Sequence, residues 1–334
     1  MLENKIIRVP QHLYFEDTIN FVNSFSSIRE EKNYVFDFKE TSIFDPFSLL
    51  YVSHELEVFK AENPTSNFYA RNFSHLTYAA HMGFFKSFGL DFGKEPGEAV
   101  GSNSYWPIEV LYVNEIKERA QDFMVNPGEV LEQYAESISL ILTQSKSKIV
   151  TDVLRYSMRE IFRNIVEHSE CEKFSFCAQY LPSQDKVHFA VLDRGIGLKK
   201  SLSNNPKLVL DDHLDAIEWS LQPGVSGKVY PGQKKKPKGE WANSGYGLFM
   251  TSSICRMGGS FFISTGDKGL FITEKQKRVM NLETHGTAVY LSINLNQIYE
   301  LSKMLYDFGR NVPKNVFMQP SKSTMDKIPK SLNI

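Results

Sequence analysis

Four short segments stand in a fixed order along this chain: R-E-I-F-R-N-I-V-E-H (159–168), D-R-G-I-G (193–197), S-G-Y-G (244–247) and H-G-T (285–287). The first lies in Lys148–Ser169, whose apolar residues recur at helical spacing. There Glu160, Asn164 and His168 fall four residues apart and share one stripe of the helix, with Ile161, Phe162, Ile165 and Val166 beside it to bury the helix. A polar stripe set in a packed helix predicts a lined cavity. An Asn side-chain oxygen is a hard ligand suited to magnesium, which usually keeps waters and takes substrate phosphates. A Glu one turn earlier can orient or deprotonate a water or hydroxyl attacking a γ-phosphate. Taken alone, the stripe reads more simply as a solvated polar face.

The other three segments change that balance. Asp193 closes the apolar strand Val187–Leu192, so its carboxylate is expected at a strand end, where ligands gather in α/β sheets. Gly195 and Gly197 then let the backbone turn and approach a ligand closely. An Asp accepting from an exocyclic amino group selects adenine over guanine. Gly245 and Gly247 open a helix predicted to run to Met257, and free N–H groups at a helix start favour phosphate. Gly286-Thr287 precedes the strand Ala288–Ile293, where Thr287 can bond back to the Asp193 region or to a water at the base. Each segment alone reads equally as a plain turn or strand start. Together they predict one cleft for ATP and Mg2+.

The remainder supplies the frame. Over residues 5–92 strand and helix signals alternate: Ile6–Val9, then helical spacing over Phe15–Phe25, a strand at Tyr34–Phe38, a helix at Phe47–Phe59, a strand at Asn67–Arg71, and a helix at Tyr78–Phe88 ending at Gly89. That alternation predicts an α/β layer fold. Residues 93–104 are polar and rich in Gly and Ser, as a linker is. Trp106–Val113 reads as a strand, Pro127–Thr143 as a long helix, and Ser260–Ser264 as a strand. Leu198–Ala242 is irregular, with a helical middle at Leu214–Ser220 and a Lys-rich end, and the tail after Pro313 is polar. The expected organisation is an N-terminal α/β domain (1–95), a linker with a connecting strand (96–125), a ligand-binding domain with a mixed sheet and helices on one face (126–300), and a C-terminal helix and tail (301–334).

With 42% apolar and 23% charged residues the chain reads as soluble and globular, and a net charge of -1 disfavours a globally basic nucleic-acid binder. Cys171, Cys177 and Cys255 are odd in number and lack metal-ligand spacing, which points to reduced thiols in a cytoplasmic protein. The N-terminus lacks the pattern of a signal peptide, and no run of apolar residues predicts a membrane span.

The four-part set resembles the GHKL ATPase superfamily and its Bergerat nucleotide-binding fold, which includes gyrase, the ninety-kilodalton chaperones, sensor histidine kinases and anti-sigma-factor serine kinases. E-I-F-R-N is similar to the family's Asn-containing helix, D-R-G-I-G to its adenine-binding box, G-Y-G-L-F to its second glycine box and H-G-T-A-V to its late Gly-Thr, over about residues 126–296. N-I-V-E-H resembles the anti-sigma kinase form. The resemblance implies Glu160 as base, Asn164 as magnesium ligand, Asp193 as adenine ligand, and Gly195, Gly197, Gly245 and Gly247 as phosphate-loop positions. It extends the nucleotide-contact set to His168, Asn243, Ser244, Tyr246, Leu248 and Thr287. The segment between Gly197 and Asn243 takes the place of the family's ATP lid; its Lys228, Lys234, Lys235, Lys236 and Lys238 read mainly as a solvated loop, with the triphosphate or an acidic partner as the alternative.

The N-terminal region is similar to STAS domains of the anti-sigma-antagonist type, through V-F-D-F-K-E-T-S-I-F-D-P-F-S-L-L, N-F-Y-A-R-N-F and the helix ending F-G-L. It departs from phosphorylated antagonists, because Pro46 follows Asp45 where a Ser is phosphorylated, and Ser48 is out of register. The expected function is an ATP- and Mg2+-binding, ATP-hydrolysing regulatory switch. The alternatives are a protein serine kinase acting on a STAS-like partner and a non-catalytic nucleotide-binding interaction protein. A regulatory protein partner and a homodimer are compatible with this reading; nucleic acid and membrane are not expected partners. His54-Glu55 lies in an α/β region, not ahead of a two-helix phosphoacceptor bundle, and His54 reads as structural.

Overall fold

The structure, a computed structural model, describes residues 4–28, 31–144, 147–227 and 245–310. The N-terminal part runs β1 (Asn4–Arg8), β2 (His12–Leu13), α1 (Phe15–Asn23), β3 (Asn33–Asp37), β4 (Ile43–Phe44), α2 (Pro46–Glu62) and β5 (Asn67–Arg71). β3 lies between β1 and β5, parallel to both, and is buried along its whole length. β2 and β4 pair in parallel beside it. α2 starts where two signals coincide: the Asp45 carboxylate accepts from Ser48 N at 2.7 Å, and Pro46 holds the first helical position, where its missing N–H costs nothing. The single helix predicted over Tyr78–Phe88 is two, α3 (Thr77–His81) and α4 (Phe84–Ser87), because Gly83 sits between them at φ +89.

The rest of the chain forms β6 (Tyr105–Tyr112), α5 (Val113–Asp122), α6 (Pro127–Thr143), α7 (Lys148–His168), β7 (Lys173–Leu181), β8 (Lys186–Asp193), α8 (Gly197–Leu202), α9 (His213–Ser220), α10 (Gly247–Arg256), β9 (Ser260–Thr273), β10 (Lys277–Asn294) and α11 (Leu301–Arg310). Five strands join in the order β6-β7-β8-β10-β9. The fold is mixed α/β, as predicted, but this sheet is not mixed: every paired neighbour is antiparallel. The short β7–β8 and β9–β10 connections enforce hairpin pairing, and β10 separates β9 from β8, the strand it runs parallel to. Among these elements α5, β7, α8 and the outer halves of β9 and β10 have no counterpart in the sequence pattern, which leaves Leu198–Asp212 irregular.

Helices were expected on one face of the sheet only; both faces are covered. On one side Phe176, Phe189, Val191, Ile263 and Val289 pack with Leu131, Leu154, Ile161, Phe162 and Met250 of α6, α7 and α10. Phe162 alone lies 5.0–5.6 Å from the rings of Phe174, Phe176 and Phe189. On the other side Cys177, Ala190, Leu192, Phe262 and Tyr290 join the core of the N-terminal part. Phe15 of α1 meets Phe262 at 4.8 Å edge-on and stacks on Tyr290 at 5.8 Å; Phe47 of α2 lies 5.5 Å from both. Each such aromatic pair contributes about 0.5–1.5 kcal/mol beyond its buried area. The sheet is therefore the middle layer of three, which explains why Val187–Leu192 reads as a nearly unbroken apolar run.

Among the described residues no helix is long and apolar enough to cross a membrane. Cys171, Cys177 and Cys255 are free thiols.

Candidate functional site

α7 is the helix that carries the polar stripe. It is capped by Ser147, whose hydroxyl accepts from Val150 N, and its apolar faces hold it between α6, α10 and the sheet. The stripe divides. Asn164 and His168, half-buried, line a cavity between α7, the end of β8 and the middle of β10. Glu160 turns toward α10 instead. It is 5% exposed, its Oε1 accepts from Arg159 Nη1 at 2.6 Å, and a Cβ on Gly247 would stand 2.5 Å from its Oε2. The bare Cα of Gly247 thus admits a carboxylate to the first residue of α10, where the helix dipole favours negative charge.

Asp193 ends β8 and faces Thr287 of β10 across the antiparallel ladder; both line the cavity. Asp193 is 2% exposed and its Oδ1 accepts from Gly195 N at 2.7 Å. Burial pushes its carboxyl up from the usual 3.8 to about 7, with the Gly195 hydrogen bond acting the other way. The loop beyond it is held tightly. Ile196 N donates to Ser169 O at 2.7 Å, and a side chain on Gly195 would collide with that same carbonyl. Gly286, at φ +93, lies against the backbone of Asp193 and Arg194; a Cβ there would fall 2.0 Å from Asp193 O, so only glycine satisfies both the dihedral and the space.

Thr265, which lies in none of the four segments, ties these turns together. Its hydroxyl donates to Gly286 O at 2.8 Å and accepts from Leu198 N at 3.2 Å, just inside α8, which begins at Gly197. The available signal was the Thr265-Gly266 dipeptide just beyond the predicted strand Ser260–Ser264, a Thr beside a Gly as at Gly286-Thr287.

The cavity measures ≈ 50 Å³, room for a few waters. Its polar groups are Asn164, His168, Ser169, Asp193, Ser201 and Thr287; its walls are apolar, among them Ile165, Val191, Leu198, Leu248 and Val289. Of the residues singled out from sequence, Asn164, His168, Asp193, Gly197, Leu248 and Thr287 meet here. Gly245 (φ +72) lies apart, accepting from Gly224 N at 3.1 Å. Tyr246 packs into the core, 4% exposed, and burial pushes its phenol up to about 12. Asn243 and Ser244, and Lys228, Lys234, Lys235, Lys236 and Lys238, lie outside the described residues.

Chemically, a buried carboxyl flanked by apolar walls can accept from a ring amino group while the walls cover the ring. Among the described residues no three His, Cys, Asp or Glu side chains are grouped to hold a metal ion. Asn164 alone would offer a hard cation one amide oxygen, so a magnesium ion there would depend on phosphate and water for its other ligands. No family model matches the chain, and no curated protein matches it.

Proposed function

We propose that the chain binds ATP with Mg2+ in the cavity between α7, β8 and β10, hydrolyses it, and works as a nucleotide-dependent regulatory switch of GHKL type. One observation carries the reading: Asn164 and Asp193, distant in sequence, line the same cavity, with Thr287 directly opposite Asp193. Asp193 accepts from the adenine amino group, the apolar walls cover the ring, and Asn164 holds the cation that the phosphates also ligate. Because the cavity is narrow, nucleotide entry requires half-buried side chains such as Leu198 and Leu248 to swing aside. Glu160, beside α10 and Arg159, is the candidate base.

Calorimetric titration with ATP, GTP and Mg2+ tests the reading. ATP is expected to bind in preference to GTP, and Asp193→Asn to abolish the preference. Binding that ignores both the base and the substitution rejects it. Phosphate release by the wild type and its loss in Glu160→Ala test hydrolysis separately.

A protein serine kinase remains the second reading, and the N-terminal loop restricts it. Ser48 is fully buried, its hydroxyl within 2.7 Å of Leu13 O, Thr18 Oγ1 and Asp45 Oδ1. Folded as it is, Ser48 is therefore closed to such a kinase, and a separate STAS-type partner is the acceptor to try. Radiolabelled ATP with a separate STAS-type protein distinguishes the two: label on protein means transfer, label in free phosphate means hydrolysis.

A further inference from the structure

A second cleft, ≈ 770 Å³ and sharing no lining residue with the first, opens where α1 and α2 meet the β9–β10 ribbon. Glu55 faces it from α2. The residue is 6% exposed, and among the described residues its Oε1 has no hydrogen-bond partner. A buried carboxyl oxygen left in that state calls for a ligand or another explanation. His54, 3.9 Å away, does not neutralise it: desolvation, with the charges of Arg194 and His285, keeps that imidazole uncharged.

The surroundings define what fits. Glu62 and Glu283 face Glu55 closely enough to act on it: burial first, then these two carboxylates, push Glu55 up to about 8 against the opposing charge of Arg194. Tyr51 and His285 are further titratable neighbours, and Glu55 raises the Tyr51 phenol further. The cleft's other acid, Asp267, is already paired with His213 at 2.7 Å and Lys268 at 3.4 Å, and Lys268 also donates to Asn281. Three carboxyl groups thus converge, and among the described residues no lysine or arginine of the cleft lining is paired to them. Val22, Phe25, Ile28, Val58, Phe59 and Leu282 give the same cleft an apolar side. Acid at one end and hydrocarbon along the side suit a cation carried on an apolar stem, as in Lys and Arg side chains.

We propose that this cleft binds a guanidinium or primary ammonium group on an aliphatic stem, with Glu55 accepting its N–H groups and Glu62 and Glu283 adding attraction. Charge-assisted hydrogen bonds of this kind favour the ionised carboxylate, so binding near neutral pH releases a proton from Glu55. Affinity is expected to rise with pH up to about 8 and then level off.

The test is calorimetry on the full chain with two probes, agmatine and a capped arginine tripeptide, each in two buffers of different ionisation enthalpy. Saturable binding with buffer-dependent heat is expected, weakened at least about tenfold in Glu55→Gln. Glutamine keeps the shape of the acid. Glu283→Gln, at an exposed position where misfolding is no explanation, is expected to weaken binding severalfold. Binding of agmatine alone identifies a free amine as the natural occupant; binding of the peptide alone identifies a partner's side chain; either supports the proposal. Failure of both probes at millimolar concentration, or affinity unchanged in both variants, overturns it. Neither probe nor variant touches the nucleotide cavity, so the outcome is independent of that reading.

Discussion

Asp193 and Arg194, consecutive in the chain, serve opposite sides of one sheet. The Asp193 carboxyl lines the helix-side cavity, while the Arg194 guanidinium reaches α2, donating to Glu57 Oε2 at 2.7 Å and to His54 O at 3.3 Å. A loop movement that displaces one displaces the other. If the cavity takes nucleotide as proposed, Arg194→Ala is expected to change its affinity severalfold without altering a cavity residue. Its cost in stability should stay under about 1 kcal/mol, because the ion pair is largely solvated. Thermal shift with and without ATP reads both quantities.

Asp193 also predicts a pH dependence with a definite sign. Its folded value of about 7 lies above the ordinary 3.8, so the native state retains a proton that the unfolded chain loses. Stability from this group is complete below about pH 4, declines as pH rises toward 7 and is flat above, by an amount on the order of 4 kcal/mol at most. Asp193→Asn should flatten that part of the curve. In the nucleotide reading, ATP affinity should rise over the same interval, since the ligand amino group favours the carboxylate. Denaturant titrations and ATP titrations between pH 5 and 8 check the two signs.

Two glycines with similar dihedrals make a controlled comparison. Gly97 is at φ +81 with nothing near an added Cβ, whereas Gly286 is at φ +93 with Asp193 O at 2.0 Å. Gly97→Ala should cost only the left-handed strain, about 1–2 kcal/mol. Gly286→Ala should cost distinctly more and should disturb the cavity, since it must move the Asp193 backbone. Chemical denaturation of the two variants side by side measures the difference.

The aromatic seam predicts shared cooperativity. Phe47→Ala removes a fully buried ring between α2 and the sheet and should cost about 3–5 kcal/mol. The two parts of the chain should unfold in one transition, seen alike by far- and near-ultraviolet circular dichroism. Residues 96–310 made alone should associate, because Leu192, Phe262 and Tyr290 would face water. Two well-separated transitions would contradict this.

Elements with a local code were legible in the sequence. The pattern predicts α6 over Pro127–Thr143, where Asn126 caps and Pro127 opens the helix, and β5 over Asn67–Arg71, as the structure has them. β7 was not, because it is covered on both faces: Phe174 and Phe176 point to the helices and Cys177 to α2, so its alternation never separates polar from apolar cleanly. The ribbon ends of β9 and β10 carry exposed charged residues, and their pairing holds them, not their composition. Within the candidate site, the convergence of Asn164, Asp193 and Thr287 was foreseeable from segment order. The departure of Glu160 toward Gly247 was not, since four-residue spacing fixes a stripe but not where its ends meet neighbouring helices.

One thiol gives the seam a reporter. Cys177 is fully buried at the join and its Sγ donates to Pro46 O at 3.0 Å, so an alkylating reagent reaches it only when α2 lifts from the sheet. The rate at which that sulfur becomes modified is a clock for the parting of the two halves, built into the native chain without any label.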